Sequence, residues 1–366
     1  MKKLFIFLIF LLLNQLIISQ NKKVYYAEID GEIDLGMAPY VSRVVSEANE
    51  ENADAIVFKI NTFGGRVDAA TQIKDAILSS DILTIAFINN RAISAGALIA
   101  LSCSKIAMVP GSSIGAATVV DQTGQKQSEK YQSYMRSEMR STAERNGRRT
   151  DIAQGMVDER IVVEGLADST QLITLTTAEA IKYGMADTTV GSLNEVLASF
   201  GLEDAEIISV KSNWAEDVVK FLNNPIISTI LIMIGFFGLM AEVKTPGWGV
   251  PGTAGLIALA LFFGSSYILE LASIVEILLF IAGIILIAVE IFVIPGFGAA
   301  GIGGIILIIV SLFLSLTGGL KFFDFDIIGT AIVQLAVALS GAFVLILLAA
   351  KYLPKSTFFN RLVLSE

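Results

Sequence analysis

Three short runs rich in glycine and serine carry the residue types from which acyl-transfer chemistry is built. INTFGGRVDAA places Gly64-Gly65 where the apolar run Ala55–Ile60 ends. Paired glycines let backbone N–H groups approach a ligand closely, as an oxyanion hole requires, and they equally make a plain strand-to-helix turn. RAISAGALIALSC places Ser94 after the run Leu83–Ile88, at the start of an apolar helix ending near Cys103. A serine there is by default an N-cap. The same position suits a nucleophile, because the positive helix end and the Ala95 N–H would stabilise charge beside its hydroxyl. KIAMVPGSSIGAA sets a Pro110-Gly111 turn before Ser112 and Ser113, two further hydroxyls among small residues able to line a narrow cleft. A simple turn explains them as well.

The elements around these runs define an α/β domain. VYYAEI, AIVFKI, LTIAFI and KIAMV, beginning at Val24, Ala55, Leu83 and Lys105, are β-branched and aromatic strand candidates. Helical stretches at Val41–Asn52 and Val67–Ser79 lie between them, which implies parallel pairing. A polar helix is predicted over Glu129–Arg145, closed by Asn146-Gly147. A strand near Leu172–Leu175 leads to Thr177, read as the N-cap of a helix that stops at Gly184. Residues 201–222 read as a polar linker.

Composition excludes several functions. The chain of 366 residues has no histidine, which removes His-dependent triads, Cys–His dyads and histidine metal ligands. Cys103 is the single cysteine, so neither an intrachain disulfide nor a cysteine zinc cluster is possible. No metal or cofactor is expected. A net charge of −9 without a basic stripe argues against a nucleic-acid partner.

Hydrophobic residues make up 54% of the chain, but unevenly. Residues 1–20, with Lys2 and Lys3 before an apolar run, have the layout of a signal peptide or N-terminal anchor. Residues 21–200 have a globular mixture. The region 223–353 reads as about five spans: Pro225–Val243, Val250–Leu269, Leu271–Ile294, Phe297–Leu316 and Ile327–Leu353. Residues 354–366 form a tail. Inside the apolar region, Glu242 with PGWGVPGTAG recurs as Glu290 with PGFGAAGIGG. The repeat is either a reused tight turn or, with Glu276, part of a path for an ion or substrate.

NTFGG, SAG at Ser94 and PGSSIGA, followed by a polar helix, together resemble the ClpP/crotonase-like serine peptidase domain. With the glycine-punctuated spans behind it, the chain is similar to the long form of the NfeD (nodulation efficiency protein D) family. The resemblance implies a Ser–Lys endopeptidase, homo-oligomeric, that cleaves apolar segments of membrane-associated proteins. Its expected partners are a stomatin/prohibitin-type membrane protein and the lipid bilayer. It also implies Ser94 as nucleophile, the backbone of Gly65 and Ala95 as oxyanion hole, and Gly64 and Ser113 in substrate binding. The family's NTPGG has Phe63 here in place of proline. The family's lysine follows the SIGA turn, and Arg140 stands at that position; arginine stays protonated and cannot be a base. Lysine can lose its proton when desolvated. Lys130, beside the apolar stripe of Tyr131, Met135 and Met139, is the preferred base, and Lys126 the second. The Arg140 departure favours the rival reading, a catalytically inactive scaffold for a stomatin-like partner. Export away from coenzyme A argues against an acyl-CoA enzyme of the same fold.

An exported N-terminal domain followed by an odd number of spans ends with its C-terminus in the cytoplasm. Lys351, Lys355 and Arg361 near the tail, and Asp324 and Asp326 in the last loop between spans, agree with that orientation in the cell membrane.

Overall fold

The apolar runs pair side by side in a computed structural model that describes residues 22–121, 124–243, 249–269, 271–292, 298–318 and 325–352. The expected signal segment and cytoplasmic tail lie outside the described residues. Lys23–Ile33 (β1), Ala55–Gly65 (β2) and Leu83–Ile93 (β3) run parallel, Val24 opposite Ala55 and Ala55 opposite Leu83. Helices or loops cover both faces of such strands, so Ala55–Ile60 is nearly continuously apolar instead of alternating. Parallel neighbours need crossovers, and Met37–Glu50 (α1) and Val67–Leu78 (α2) supply them. α1 buries Tyr40, Val41, Val44, Val45 and Ala48, one stripe of an amphipathic helix. Ala95–Ser102 (α3) is buried at every position, which is why its sequence shows no polar face.

Lys105–Met108 (β4) and Ser113–Gly115 (β5) both pair with β3, at successive stretches of its length. Glu129–Arg145 (α4) has the expected bounds, and Gly147 at φ 67° ends it. Thr150–Gly155 (α5) precedes Thr174–Thr176 (β6), which is antiparallel to β5. Thr177–Lys182 (α6) is capped one residue earlier than expected. The Thr176 hydroxyl accepts from Glu179 N–H, while the Thr177 hydroxyl donates to the Val109 carbonyl at 2.7 Å. Thr188–Thr189 (β7) pairs with β4 and leads to Leu193–Ser199 (α7).

The stretch 201–222 is not a plain linker. Glu206–Val210 (β8) adds a parallel strand beside β1, and Trp214–Leu222 (α8) is helical. Ile207, Ile208 and Val210 are a β-branched strand signal inside the stretch read as linker, although most of the side chains of this edge strand are exposed. The sheet order is β6-β5-β3-β2-β1-β8, with β4 beside β3 and β7 beside β4.

Ser212 closes the first of two compact units and Asn213 opens the second. The second holds Pro225–Val243 (α9), Val250–Ile268 (α10), Ile274–Phe292 (α11), Ala299–Thr317 (α12) and Phe325–Tyr352 (α13). Four helices, α9, α10, α12 and α13, are long and apolar enough among the described residues to cross a membrane. α11, at the remaining expected span, is a helix of 19 residues, about 28 Å long, with Glu276 in its first turn and Glu290 near its end.

The internal repeat is a duplicated helical hairpin. On α10 a Cβ at Gly255 would lie 2.9 Å from the Gly235 carbonyl oxygen; on α12 one at Gly304 would lie 2.6 Å from that of Gly283. Each hairpin therefore closes backbone to backbone. The glutamates cap the second helix of each hairpin. Glu242 accepts from the N–H groups of Gly249 and Gly252, the latter at 2.9 Å, and Glu290 does the same for Gly298 and Gly301, the latter at 3.0 Å. Gly249 and Gly298 are the N-caps of α10 and α12. A carboxylate at the end of one helix thus satisfies donors that the start of the next would leave orphaned in an apolar region. Glu276 caps its own helix, accepting from both the N–H and the hydroxyl of Ser273. The geometry favours the reused turn over an ion path.

Candidate active site

The parallel strands bulge at their C-terminal ends, where ligands bind in open α/β sheets. The pairing register shifts between Asp30 and Glu32 on β1 and between Ile60 and Thr62 on β2. Thr62 is buried, and its hydroxyl donates to the Gly31 carbonyl at 2.5 Å and accepts from Gly64 N–H at 2.9 Å. That bracket lays the Gly64 turn against Ser94. A Cβ at Gly64, where φ is +110°, would lie 2.5 Å from Ser94 Cβ and 2.9 Å from Ser94 Oγ. Gly65 is pressed equally hard on β1, where its Cβ would meet the Ile33 carbonyl oxygen at 2.2 Å.

Ser94 stands at the junction of β3 and α3 with φ 57° and ψ −120°. Such a conformation costs a non-glycine residue about 1–3 kcal/mol and persists only where the surroundings impose it. Here they do. Ser94 N–H donates to the Gly115 carbonyl at 2.9 Å, and its own carbonyl accepts from Ala97 N–H at 2.9 Å. Ser94 holds the N-cap position, yet its half-buried side chain makes no capping hydrogen bond. The ordinary reason for a serine at a helix start is therefore absent. Ala95 is the first residue of α3, so its N–H belongs to the donors that a helix start leaves without an intrahelical partner. A strained strand-to-helix turn that presents a hydroxyl beside such donors is the arrangement of a nucleophile elbow.

The other hydroxyls divide. Ser112 is buried, with its Oγ 3.2 Å from Thr177 Oγ1, and serves the fold. Ser113 is half-buried on β5, opposite Arg91 on one side and Thr176 on the other, two residues before the Gly115 that holds Ser94. Phe63 is 73% exposed beside Gly64, and the Arg91 guanidinium stacks 4.2 Å from its ring centroid.

The expected base is not desolvated. Lys130 is exposed in the first turn of α4, whereas Met135 and Met139 are buried. At about 100° per residue, Lys130 lies roughly 140° and 180° around the helix from those methionines, so their stripe faces inward and the lysine outward. Lys126 is exposed and ion-paired with Glu159 at 2.8 and 2.9 Å. Arg140 is exposed, 3.5 Å from Gln154 Oε1. Lys74 on α2 is buried, with Glu138 of α4 at 2.5 Å and Asp75 at 2.8 Å. Burial opposes its charge, but the two carboxylates outweigh burial and raise its pKa, so Lys74 stays protonated. Burial pushes the Cys103 thiol up to about 12, which leaves it inert.

α4 is strapped in place on several sides. Gln132 brackets Val119 through its N–H at 3.2 Å and its carbonyl at 2.7 Å. Asp158, buried, receives Arg136 at 2.8 Å and Arg160 at 2.6 Å. The Arg160 guanidinium, with Arg136 behind it, holds the Asp158 carboxyl well below the usual carboxylate range despite burial.

Sequence reasoning missed Thr62 and the role of Gly115. Both lie inside quoted motifs, but their partners, Gly31 and Ser94, are distant in the chain.

The profile of the NfeD1b N-terminal domain matches residues 23–210, and that of the NfeD integral membrane domain matches residues 226–351. The chain belongs to the NfeD family. This NfeD chain is 38% identical over 363 residues to the membrane protein NfeD1b of Bacillus subtilis, covering 99% of itself and 81% of that relative. It is 29% identical over 314 residues to a membrane-bound protease of Pyrococcus horikoshii, covering 78% of itself and 68% of that protein. A solved membrane-bound stomatin-specific protease, a lysine-to-alanine variant in complex with a substrate peptide, matches at 26% identity and a TM-score of 0.48. That match covers 56% of the NfeD chain and 98% of the solved chain. Family membership and the apolar helices make this NfeD chain a membrane protein.

Proposed function

We propose that this NfeD protein is a membrane-bound serine endopeptidase acting through an acyl-enzyme on Ser94. The observation that carries the reading is the strained Ser94 itself, with an uncapped hydroxyl and the Gly64 turn packed on its side chain. Ser94 Oγ attacks the scissile carbonyl carbon and gives its proton to a neutral amine. The oxyanion is held by the N–H groups of Gly65 and Ala95, with Gly64 and Ser113 lining the bound peptide. The C–N bond breaks as the amine's proton passes to the leaving group. Water then enters by the reverse sequence, releasing the acid and restoring Ser94. Lys130 supplies the amine on this reading, from an exposed position in the first turn of α4. Similarity to a named membrane-bound protease supports the reaction class. By the family resemblance, the substrate is an apolar segment of a stomatin/prohibitin-type membrane protein. The exported domain is extracytoplasmic and the C-terminus cytoplasmic.

The exposed Lys130 and the arginine at position 140 favour a second reading, an inactive scaffold for the same class of partner. Fluorophosphonate labelling of wild type and Ser94→Ala decides between them. The protease reading expects label on wild type and none on the variant. An unlabelled wild type, or equal labelling of both, overturns it.

A further inference from the structure

α8 ends at Leu222, and only Asn223 and Asn224 separate it from α9, which begins at Pro225 as a membrane-crossing helix. With side chains about 100° apart, Phe221, Trp214, Val218, Leu222, Ala215 and Val219 fall on one continuous arc of roughly 160°. Glu216, Asp217 and Lys220 occupy the opposite side. One flank of the apolar arc is in use: Val219 is buried and Leu222 half-buried, where α8 packs on α9 and α10, while the small Ala215 between them is exposed. The other flank is bare. Trp214 is 80% exposed, Phe221 59% and Val218 42%.

We propose that this bare flank lies in the lipid interface of the bilayer, making α8 a surface anchor at the entrance to the first span. Continuity with α9 identifies the occupant, because two residues cannot carry the helix away from the surface that α9 enters. The chemistry agrees. Tryptophan and phenylalanine are the side chains that settle at headgroup depth, the indole keeping its N–H toward water. The polar side has two carboxylates against one lysine. Attraction to anionic headgroups therefore contributes nothing, and apolar burial is the driving force. The helix is also ready before it meets lipid. A helix of nine residues is marginal alone, but Asn213 and Glu216 form a capping box, Glu216 N–H to Asn213 Oδ1 at 2.9 Å and Asn213 N–H to Glu216 Oε2 at 2.7 Å.

The test uses the full chain reconstituted in phosphatidylcholine vesicles. The sequence has two tryptophans, so Trp248→Phe leaves Trp214 as the sole tryptophan, excited selectively over the tyrosines at the red edge of the absorption band. Should that variant fail to fold, the difference between wild type and Trp214→Phe isolates the same signal. Bromine placed high on the acyl chains, near the glycerol, is expected to reduce Trp214 emission on the order of two-fold, with weaker quenching by mid-chain bromine and little by aqueous iodide. Strong iodide quenching without bromine quenching would show the flank in water. Protection from both would show it covered by protein, and stronger quenching by mid-chain bromine would place it too deep. Each of these three results overturns the proposal.

Discussion

Gly64→Ala tests most directly whether the Gly64 turn positions Ser94. An alanine Cβ there would lie 2.5 Å from Ser94 Cβ, 2.9 Å from Ser94 Oγ and 3.2 Å from the Ile93 carbonyl oxygen, on a residue at φ +110°. Two penalties follow. A side chain in that backbone region costs about 1–3 kcal/mol. Relieving the overlap requires either the turn or Ser94 to shift, and overpacking of this kind costs roughly 1–3 kcal/mol more. A displacement of about 1 Å at a reacting group is worth around 100-fold in rate. Gly111→Ala separates strain from displacement, because residue 111 has φ +83° with nothing within 4 Å of its Cβ position. Both variants should lose stability by denaturant unfolding. Only Gly64→Ala should also lose fluorophosphonate labelling of Ser94, by about 100-fold. Equal labelling rates in the two folded variants would refute the claim that the turn positions the nucleophile.

Lys130→Ala should lower peptide turnover by about 10²–10⁴-fold while Arg140→Ala stays near wild type; near-normal turnover in Lys130→Ala removes it as the base. Glu290→Ala strands the N–H groups of Gly298 and Gly301, at about 1–3 kcal/mol each, so the melting temperature in detergent should fall, and Glu242→Ala should fall likewise because the hairpins are copies. An unchanged melting temperature in both would end the capping account. The Asp158 carboxyl titrates lower folded than unfolded, so its stabilisation is complete above the unfolded value of ~3.9 and is lost as pH falls through and below it. Wild type should therefore lose stability relative to Asp158→Asn as urea unfolding is followed to acid pH, and parallel curves would contradict this. For topology, a reporter active only in the cytoplasm should be active when fused at Glu366 and silent when inserted near Gly201; the reverse pattern means a miscounted span.

Local patterns in the sequence determined the parts of this protein that local physics controls. β-branched runs alternating with amphipathic stretches marked the parallel sheet, the polar run marked α4 to its residue bounds, and unbroken apolar stretches marked the membrane helices. The three glycine and serine motifs marked the candidate site for the same reason, since turns and helix starts are written in a few adjacent residues. Tertiary structure decided how those residues are held. Ser94 is strained because Gly115 and Ala97 hold its backbone from both sides, and its hydroxyl leaves the capping role that a serine at that position ordinarily fills. Lys130 points outward because α4 turns Met135 and Met139 inward, an orientation that apolar neighbours in sequence do not specify. β8 was read as linker although Ile207, Ile208 and Val210 are β-branched, because a five-residue run is a weak signal until its pairing with β1 defines the strand. Glu242 and Glu290 looked like costly charges in an apolar region until the next helix supplied their N–H partners. In each case the deciding contact joins residues that only folding brings together, and local sequence alone does not specify it.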